Sequence, residues 1–504
     1  MTARLTETAV LDRSTNTEIA DNIEMPAVQT RPNPTLADEA DPGEPHANET
    51  SQEDLPPDGG YGWICTACVF LINAHTWGVS SVSCEVCSTR FSNQKLTYVQ
   101  AWGIFLARYL SESTFPGASR LEYALIGGLS ISQSCLLSPL VALSNDKLGT
   151  RATLLIGTAL VSLSMLGASF ATQIWHLFLS QGCCFGYGMS FLYVTAAAAL
   201  PQWFSKRRSL AVGIASSGAG FGGLAYNLGA GAAVESIGLP WTYRLLALCT
   251  LTVNSTCSIL LKDRNEIVKP RKDAFDFREY GHISVLLVIL WGICTELGYI
   301  VLLYSLPNYA ISIGLTARQG SVVAAVLNLG LALGRPAVGY LSDRLGRINM
   351  ATAMTGLCGI LCLAVWIPAK TYAVLLIFAL LSGAVTGTFW GTVVPVITEV
   401  VGLQRLPSVF GLICLPLVLP TTFAEPIALE IVSTSGYLST QIFVGCMFLA
   451  GAASTWALHS WKICDTELKQ AHDQDEVSPD GRAVSTEKHQ VWLTPRRLFS
   501  AQTI

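Results

Sequence analysis

Arg335 is the side chain best equipped to hold an anion in this 504-residue chain. It stands in the apolar run LGLALGRPAVGY, where a guanidinium keeps its charge and can pair bidentately with a carboxylate. Its competing reading is a helix-end anchor, because Asp343 follows eight residues on. Glu296, in ILWGICTELGYI, and Glu425, in LPTTFAEPIAL, are carboxyls able to take up and release protons. Pro426 directly after Glu425, with Pro416 and Pro420 nearby, gives Glu425 a second reading as a cap in a broken helix. Asn73, His75 and Trp77 sit together in NAHTW, with Asn73 and Trp77 four apart on one helical face. Asn73 and Trp77 can bind or stack on a ligand, or hold helices together. His75 reads as a protonation switch or as a satisfied interhelical histidine. Asn328, Tyr304 and Asn227 are polar residues fit to line a cavity. Ionisable groups in apolar segments are costly, which makes each a functional candidate.

Two patterns look chemical and are not. Cys65-x2-Cys68 and Cys84-x2-Cys87 have a zinc-ribbon spacing, but the first pair lies in an apolar helix. Gly218 to Gly223 satisfies G-x-G-x-x-G without the preceding strand that a dinucleotide site needs, so close helix packing explains it better. The seven His are dispersed, which argues against a metal-dependent membrane enzyme. Neither a metal nor a cofactor is expected.

The elements that position these residues follow from composition. The chain is 51% apolar and 13% charged, with mean hydropathy +0.45, against about 25% charged in an ordinary soluble protein. A net charge of −4 argues against nucleic-acid binding. Residues 1–58 hold thirteen acids and three bases, whereas 59–461 hold fifteen acids and twenty-two bases. Residues 1–57 read as a disordered acidic cytosolic tail without a signal-peptide core, and 462–504 as a second disordered tail.

Between the tails, apolar runs of the length that crosses a bilayer recur near 64–81, 123–143, 152–171, 174–200, 209–231, 241–261, 282–305, 319–341, 350–368, 372–397, 409–432 and 438–460. The chain is therefore expected to be an all-α membrane protein with twelve transmembrane helices in two six-helix halves, 58–262 and 282–461, joined by a cytosolic loop at 263–281. Fourteen Lys and Arg in loops on one side, against Arg120, Arg318 and Lys370 on the other, place both termini in the cytoplasm. The loop NDKLGTR, with Asp146, Lys147 and Arg151, recurs six spans later as SDRLGRI, with Asp343, Arg344 and Arg347. Such parallel repeats suit two related halves of a carrier. The shared acid and bases can latch neighbouring helix ends.

With these motifs in view, the sequence resembles the major facilitator superfamily, and within it the fungal branch of the monocarboxylate transporter family. The resemblance rests on PPDGGYGW at 56–63, PQWFSKRRSLAVGIASSGAGFGG at 201–223, GRPAVGYLSDRLGR at 334–347 and LPTTFAEPIAL at 419–429. It implies a major facilitator fold and a carrier that works by alternating access. The cargo would be a small organic anion, protons a candidate coupling ion, and Arg335 the substrate-binding arginine. The direction is open between monocarboxylate uptake or exchange and efflux of an acidic secondary metabolite, most simply across the plasma membrane. Asp58, Gly59, Gly60 and Trp63 form a motif at the cytosolic start of the first span, read as gating rather than ligand contact. Proton-coupled animal members carry an Asp where this chain has Leu331 and a Lys where it has Ser81, which puts lactate-type symport in question. A receptor-like protein that does not transport is the rival reading.

One stretch departs from the resemblance. Removing 82–100 joins NAHTWGVSS directly to AWGIFLARYL in the register of the family's first span. As it stands, Glu85, Arg90 and Lys95 interrupt that span, each at about 2.5–3.5 kcal/mol near a helix centre. The stretch reads as a retained intron of 57 nucleotides, with an extracellular insertion as the alternative. Sequencing the mature transcript decides between them: the intron reading expects those nucleotides to be absent, and their retention contradicts it.

Overall fold

The computed structural model describes residues 56–80, 120–270 and 276–477. The stretch 82–100 and nearly all of both tails lie outside these residues.

Span 1 is Tyr61–His75, continued after a break at Thr76 by Trp77–Ser80. Span 2 is Arg120–Leu136 and Ser138–Leu148, whose axes bend by 47°. Span 3 is Thr150–Ala168, span 4 is Ile174–Trp203, span 5 is Arg208–Ile237 and span 6 is Leu239–Leu260. Spans 7 and 8 are Ile283–Ser312 and Ala317–Leu345. Span 9 is Arg347–Trp366, and span 10 is Tyr372–Thr386 followed by Thr388–Val401. Span 11 starts at Leu406 and ends at a break at Gly436, from which span 12 follows. Spans 5 and 6 fall short of the length-and-hydropathy test for a crossing that the others meet singly, as a bent pair or as one merged helix. Their runs of Gly, Ser and Thr lower their hydropathy.

The two loops of the internal repeat fold alike. Gly149 and Gly346 both take positive φ, 80° and 95°, a conformation that L side chains resist, and each turns the chain sharply between two helices. One apolar core fills the first half around Leu154, Met165 and Tyr243, and another fills the second half around Trp366, Phe378 and Phe448. A third cluster joins the halves, where Tyr193 and Val194 of span 4 meet Phe389, Trp390 and Phe410.

Span 5 is the seam. A Cβ on Gly213 would lie 2.4 Å from Arg335 O, one on Gly220 2.8 Å from Ala332 N, and one on Gly218 2.0 Å from Phe70 O. The G-x-G-x-x-G stretch thus lets spans 1 and 8 approach span 5 backbone to backbone, as small residues do between membrane helices.

The expected start of the second tail at 462 is corrected. The last helix runs on to Val477, buries Ile463 and Cys464, and carries Asp465 paired with Lys462 at 3.5 Å and Lys469 at 2.9 Å. These i,i+3 and i,i+4 pairs support helix beyond the apolar span. The central loop also holds structure, a turn of helix at Asn265–Val268 and a 3₁₀ turn at Phe277–Gly281.

Candidate functional site

Arg335 lies ten residues before the end of span 8, about 15 Å along the helix axis and so near the middle of a hydrocarbon core about 30 Å thick. It faces a small cavity between the two halves. Asn73, Trp77, Tyr193, Ser216 and Ala219 line it from the first half, and Tyr299, Arg335 and Trp390 from the second.

Arg335 is 7% exposed, and its Nη1 donates to Ser216 O at 2.6 Å, tying span 8 to span 5. Its Nε is buried with no acceptor. Room for the guanidinium comes from Gly387, where a Cβ would lie 2.7 Å from Arg335 Nε and 2.5 Å from Leu331 Cδ2. Gly387→Ala should therefore displace the guanidinium and lower transport about tenfold or more, because a misplaced binding group is costly out of proportion to the displacement, and the overpacking should also cost about 1–3 kcal/mol of stability. Wild-type flux in that variant would show that the guanidinium position is not critical.

The rings of Trp77, Tyr193 and Trp390 pack around the cavity with centroids 5.2, 5.5 and 5.6 Å apart. Trp77 Nε1 and Asn73 Oδ1 are buried without hydrogen-bond partners, whereas the Trp390 indole has Glu296 beside it as an acceptor. Glu296 of span 7, 2% exposed, lies within electrostatic range of Arg335 and beside the Trp390 indole. Behind the cavity wall a buried carboxyl thus stands within electrostatic range of the buried cation, an arrangement suited to exchanging an internal carboxylate for an external one.

The other sequence candidates sit elsewhere. Tyr304 and Glu425 face each other rather than the cavity, and Glu425 Oε2 has no partner. Asn328 is buried one helical stretch away from Arg335 on the same span, with Oδ1 unpartnered. His75 contacts its own helix at Leu71 O, 2.8 Å away, and meets Tyr226 edge-on. The side chain of Asn227 lies outside the described residues. Nothing local marks Tyr193, Ser216, Tyr299 or Trp390 in the sequence. They reach the cavity only because helices from both halves converge there.

At the ends of spans 5 and 8, the second copy of the repeated motif ties the two halves together. Asp343 accepts from Ser209 N at 2.9 Å and Leu210 N at 2.8 Å, so a carboxylate of the second half caps the start of span 5 in the first. A carboxylate is favoured at a helix N-terminus by the unsatisfied amides and the dipole. Arg347 donates to Glu399 at 2.5 Å and to Ser205 O at 2.8 Å, again joining the halves. Arg344 stacks over Tyr340. The first-half copy is held within its own half: Thr150 Oγ1 donates to Asn145 Oδ1 at 3.0 Å, and Asn265 reaches Thr150 from the central loop. Lys147 and Arg151 are exposed, and Asp146 is half-buried with an interaction of its own.

Asp58 accepts from the amides of Ser205 and Lys206 at 2.7 and 2.8 Å, bracing the segment that leads into span 5. It does so with φ 49°, and Gly60 follows at φ 58°. The segment's aromatic face seats on the same turn: Trp63 meets Phe204 at 5.1 Å and Tyr61 meets Trp203 at 5.7 Å. A Cβ on Gly59 would stand 3.9 Å from Trp63 Nε1, ordinary contact.

The sequence profile of the Major Facilitator Superfamily matches residues 95–415 and, again, 288–495. The chain belongs to the Major Facilitator Superfamily. Among its relatives, the probable transporter MCH2 of Saccharomyces cerevisiae is 33% identical over 433 residues, which cover 83% of this chain and 87% of that one. The fujikurins efflux protein of Gibberella fujikuroi is 26% identical over 412 residues, covering 80% and 83%. Among solved structures, the superfamily's proton:xylose symporter XylE superposes with a TM-score of 0.59 over 79% of this chain and 95% of that one, at 13% identity. That likeness establishes the twelve-helix superfamily fold. This superfamily member is a multi-pass membrane transporter of a small molecule.

Proposed function

We propose that the protein moves a small organic anion by alternating access, binding its carboxylate at Arg335 in the cavity between the halves. The observation that carries this reading is a buried guanidinium with an unpartnered Nε that lines one cavity with the unpartnered indole N–H of Trp77. A cationic donor and a second free N–H around one cavity suit an anion better than a neutral sugar. Glu296 stands in for the carboxyl absent at Leu331. It neutralises Arg335 in the empty carrier and takes a proton when substrate displaces it. Tyr304, Asn328 and Glu425 then belong to the route beyond the cavity, and His75 to packing between spans 1 and 5.

The clasp of Asp343 and Arg347 keeps the cytoplasmic side shut in this conformation. Both termini are assigned to the cytoplasm by the distribution of Lys and Arg, and the plasma membrane is the simplest location. Export of an acidic metabolite is the favoured direction, because relatives include a named efflux protein. No enzymatic step is invoked.

Purified protein in proteoliposomes tests the function by counterflow of labelled benzoate and lactate against preloaded organic acids. Accumulation is expected, and it should be accelerated by a proton gradient. Glu296→Gln should remove that acceleration and slow net flux about tenfold while sparing exchange of anion for anion, the split expected when a proton-transfer group is removed from a carrier that still binds. Absence of counterflow with every acid would favour the receptor-like alternative.

A further inference from the structure

The polar atoms left open around the cavity specify more than a negative charge. Arg335 Nε and Trp77 Nε1 are buried donors without acceptors. Asn73 is the opposite case: its amide nitrogen donates to Ala215 O at 2.9 Å, which leaves Oδ1 as a buried acceptor without a donor. Buried polar groups ordinarily find partners. A ligand that satisfies these three must accept from the first two and offer one hydrogen to the third. The wall beside them is aromatic, since Trp77, Tyr193 and Trp390 all line the cavity and pack within 5.6 Å of one another. A short aliphatic acid would satisfy the donors and leave that wall uncovered. A flat ring covers it, with the offset or edge-on geometry that aromatic faces prefer.

Resting on the reading that Arg335 holds an anion, we infer that the substrate class is an aromatic hydroxycarboxylate. Its carboxylate meets Arg335 and the Trp77 indole N–H, its hydroxyl donates to Asn73 Oδ1, and its ring lies on the Trp77–Tyr193–Trp390 wall.

Four sodium salts separate these features: mandelate has all three, phenylacetate lacks the hydroxyl, hexahydromandelate lacks the flat ring, and lactate lacks any ring. Calorimetric titration of the full-length protein should show mandelate binding about tenfold tighter than phenylacetate or hexahydromandelate, with lactate weakest, as expected when the ligand cannot make one buried hydrogen bond or cannot stack on the aromatic wall. Asn73→Leu should bring mandelate to the affinity of phenylacetate without moving phenylacetate. Trp390→Leu should equalise mandelate and hexahydromandelate, while Trp390→Phe keeps part of the difference. If a variant fails to fold, the ranking in the wild type decides alone. Equal affinities for the four acids, with binding abolished in Arg335→Gln, overturn the ring-and-hydroxyl assignment and leave the anion reading standing. Binding of none of them, or binding indifferent to Arg335→Gln, overturns both.

Discussion

Arg335→Ala is expected to abolish anion transport while the protein still folds and reaches the membrane. Removing one partner of a buried, hydrogen-bonded charge pair costs about 2–5 kcal/mol, which corresponds to a loss of roughly thirtyfold to several thousandfold. Two consequences follow from the neighbours. The substitution leaves Glu296 without its counter-charge, so Arg335→Ala should lower thermal stability, and adding Glu296→Gln should recover that stability without recovering transport. Arg335→Lys should fail nearly as badly as Ala, because an ammonium cannot hold Ser216 O and a carboxylate in the fixed fork that the guanidinium provides. Flux in proteoliposomes, normalised to reconstituted protein, reads all three. Uptake at wild-type KM in Arg335→Ala would remove Arg335 from the site.

The second large effect is expected at Asp343. Its carboxylate takes two amides at the start of span 5, and bonds to a charged acceptor contribute about 1.5–3 kcal/mol each. Those bonds join residues of different halves, so they favour the conformation in which these helix ends are closed against each other. Losing about 2 kcal/mol of such a preference changes a two-state population roughly thirtyfold. In Asp343→Ala, the amides of Ser209 and Leu210 should exchange with deuterium about ten- to a hundredfold faster than in the wild type. Arg347 retains Glu399 and Ser205 O as partners, so these helix ends should loosen rather than unfold. Transport should slow because the carrier rests in the wrong state, with substrate affinity little changed. Unaltered exchange at those two amides would show that the clasp does not set the resting state.

Much of the architecture was legible because the bilayer imposes a simple rule on sequence. Apolar runs of the right length announce spans, and the repeat of Asp-basic-Leu-Gly at 146–149 and 343–346 announces two related halves. Arg335 was legible for the same reason, being a charge where charge is expensive. The rest of the cavity was not. Trp390 and Tyr193 read as ordinary apolar residues until spans 4 and 10 bring them to within 5.6 Å of each other. Gly387 reads as a helix interruption until Arg335 fills the space beside it. Glu425 and Tyr304 look like site residues one at a time, yet their main partners are each other. Helix continuation past Lys462 was hidden because hydropathy falls there while i,i+4 ion pairs, which a hydropathy profile ignores, carry the helix on.

The central claim is that an anion enters the space between Arg335 and the indoles. Trp390 is a reporter already in place, and the difference between wild-type fluorescence and that of Trp390→Phe isolates its emission from the other eleven tryptophans. Titrating benzoate into the purified protein should produce a saturable change in that difference signal, and Arg335→Gln should abolish it. A saturable change that persists in Arg335→Gln, or one carried entirely by other tryptophans while benzoate is transported, would contradict the account.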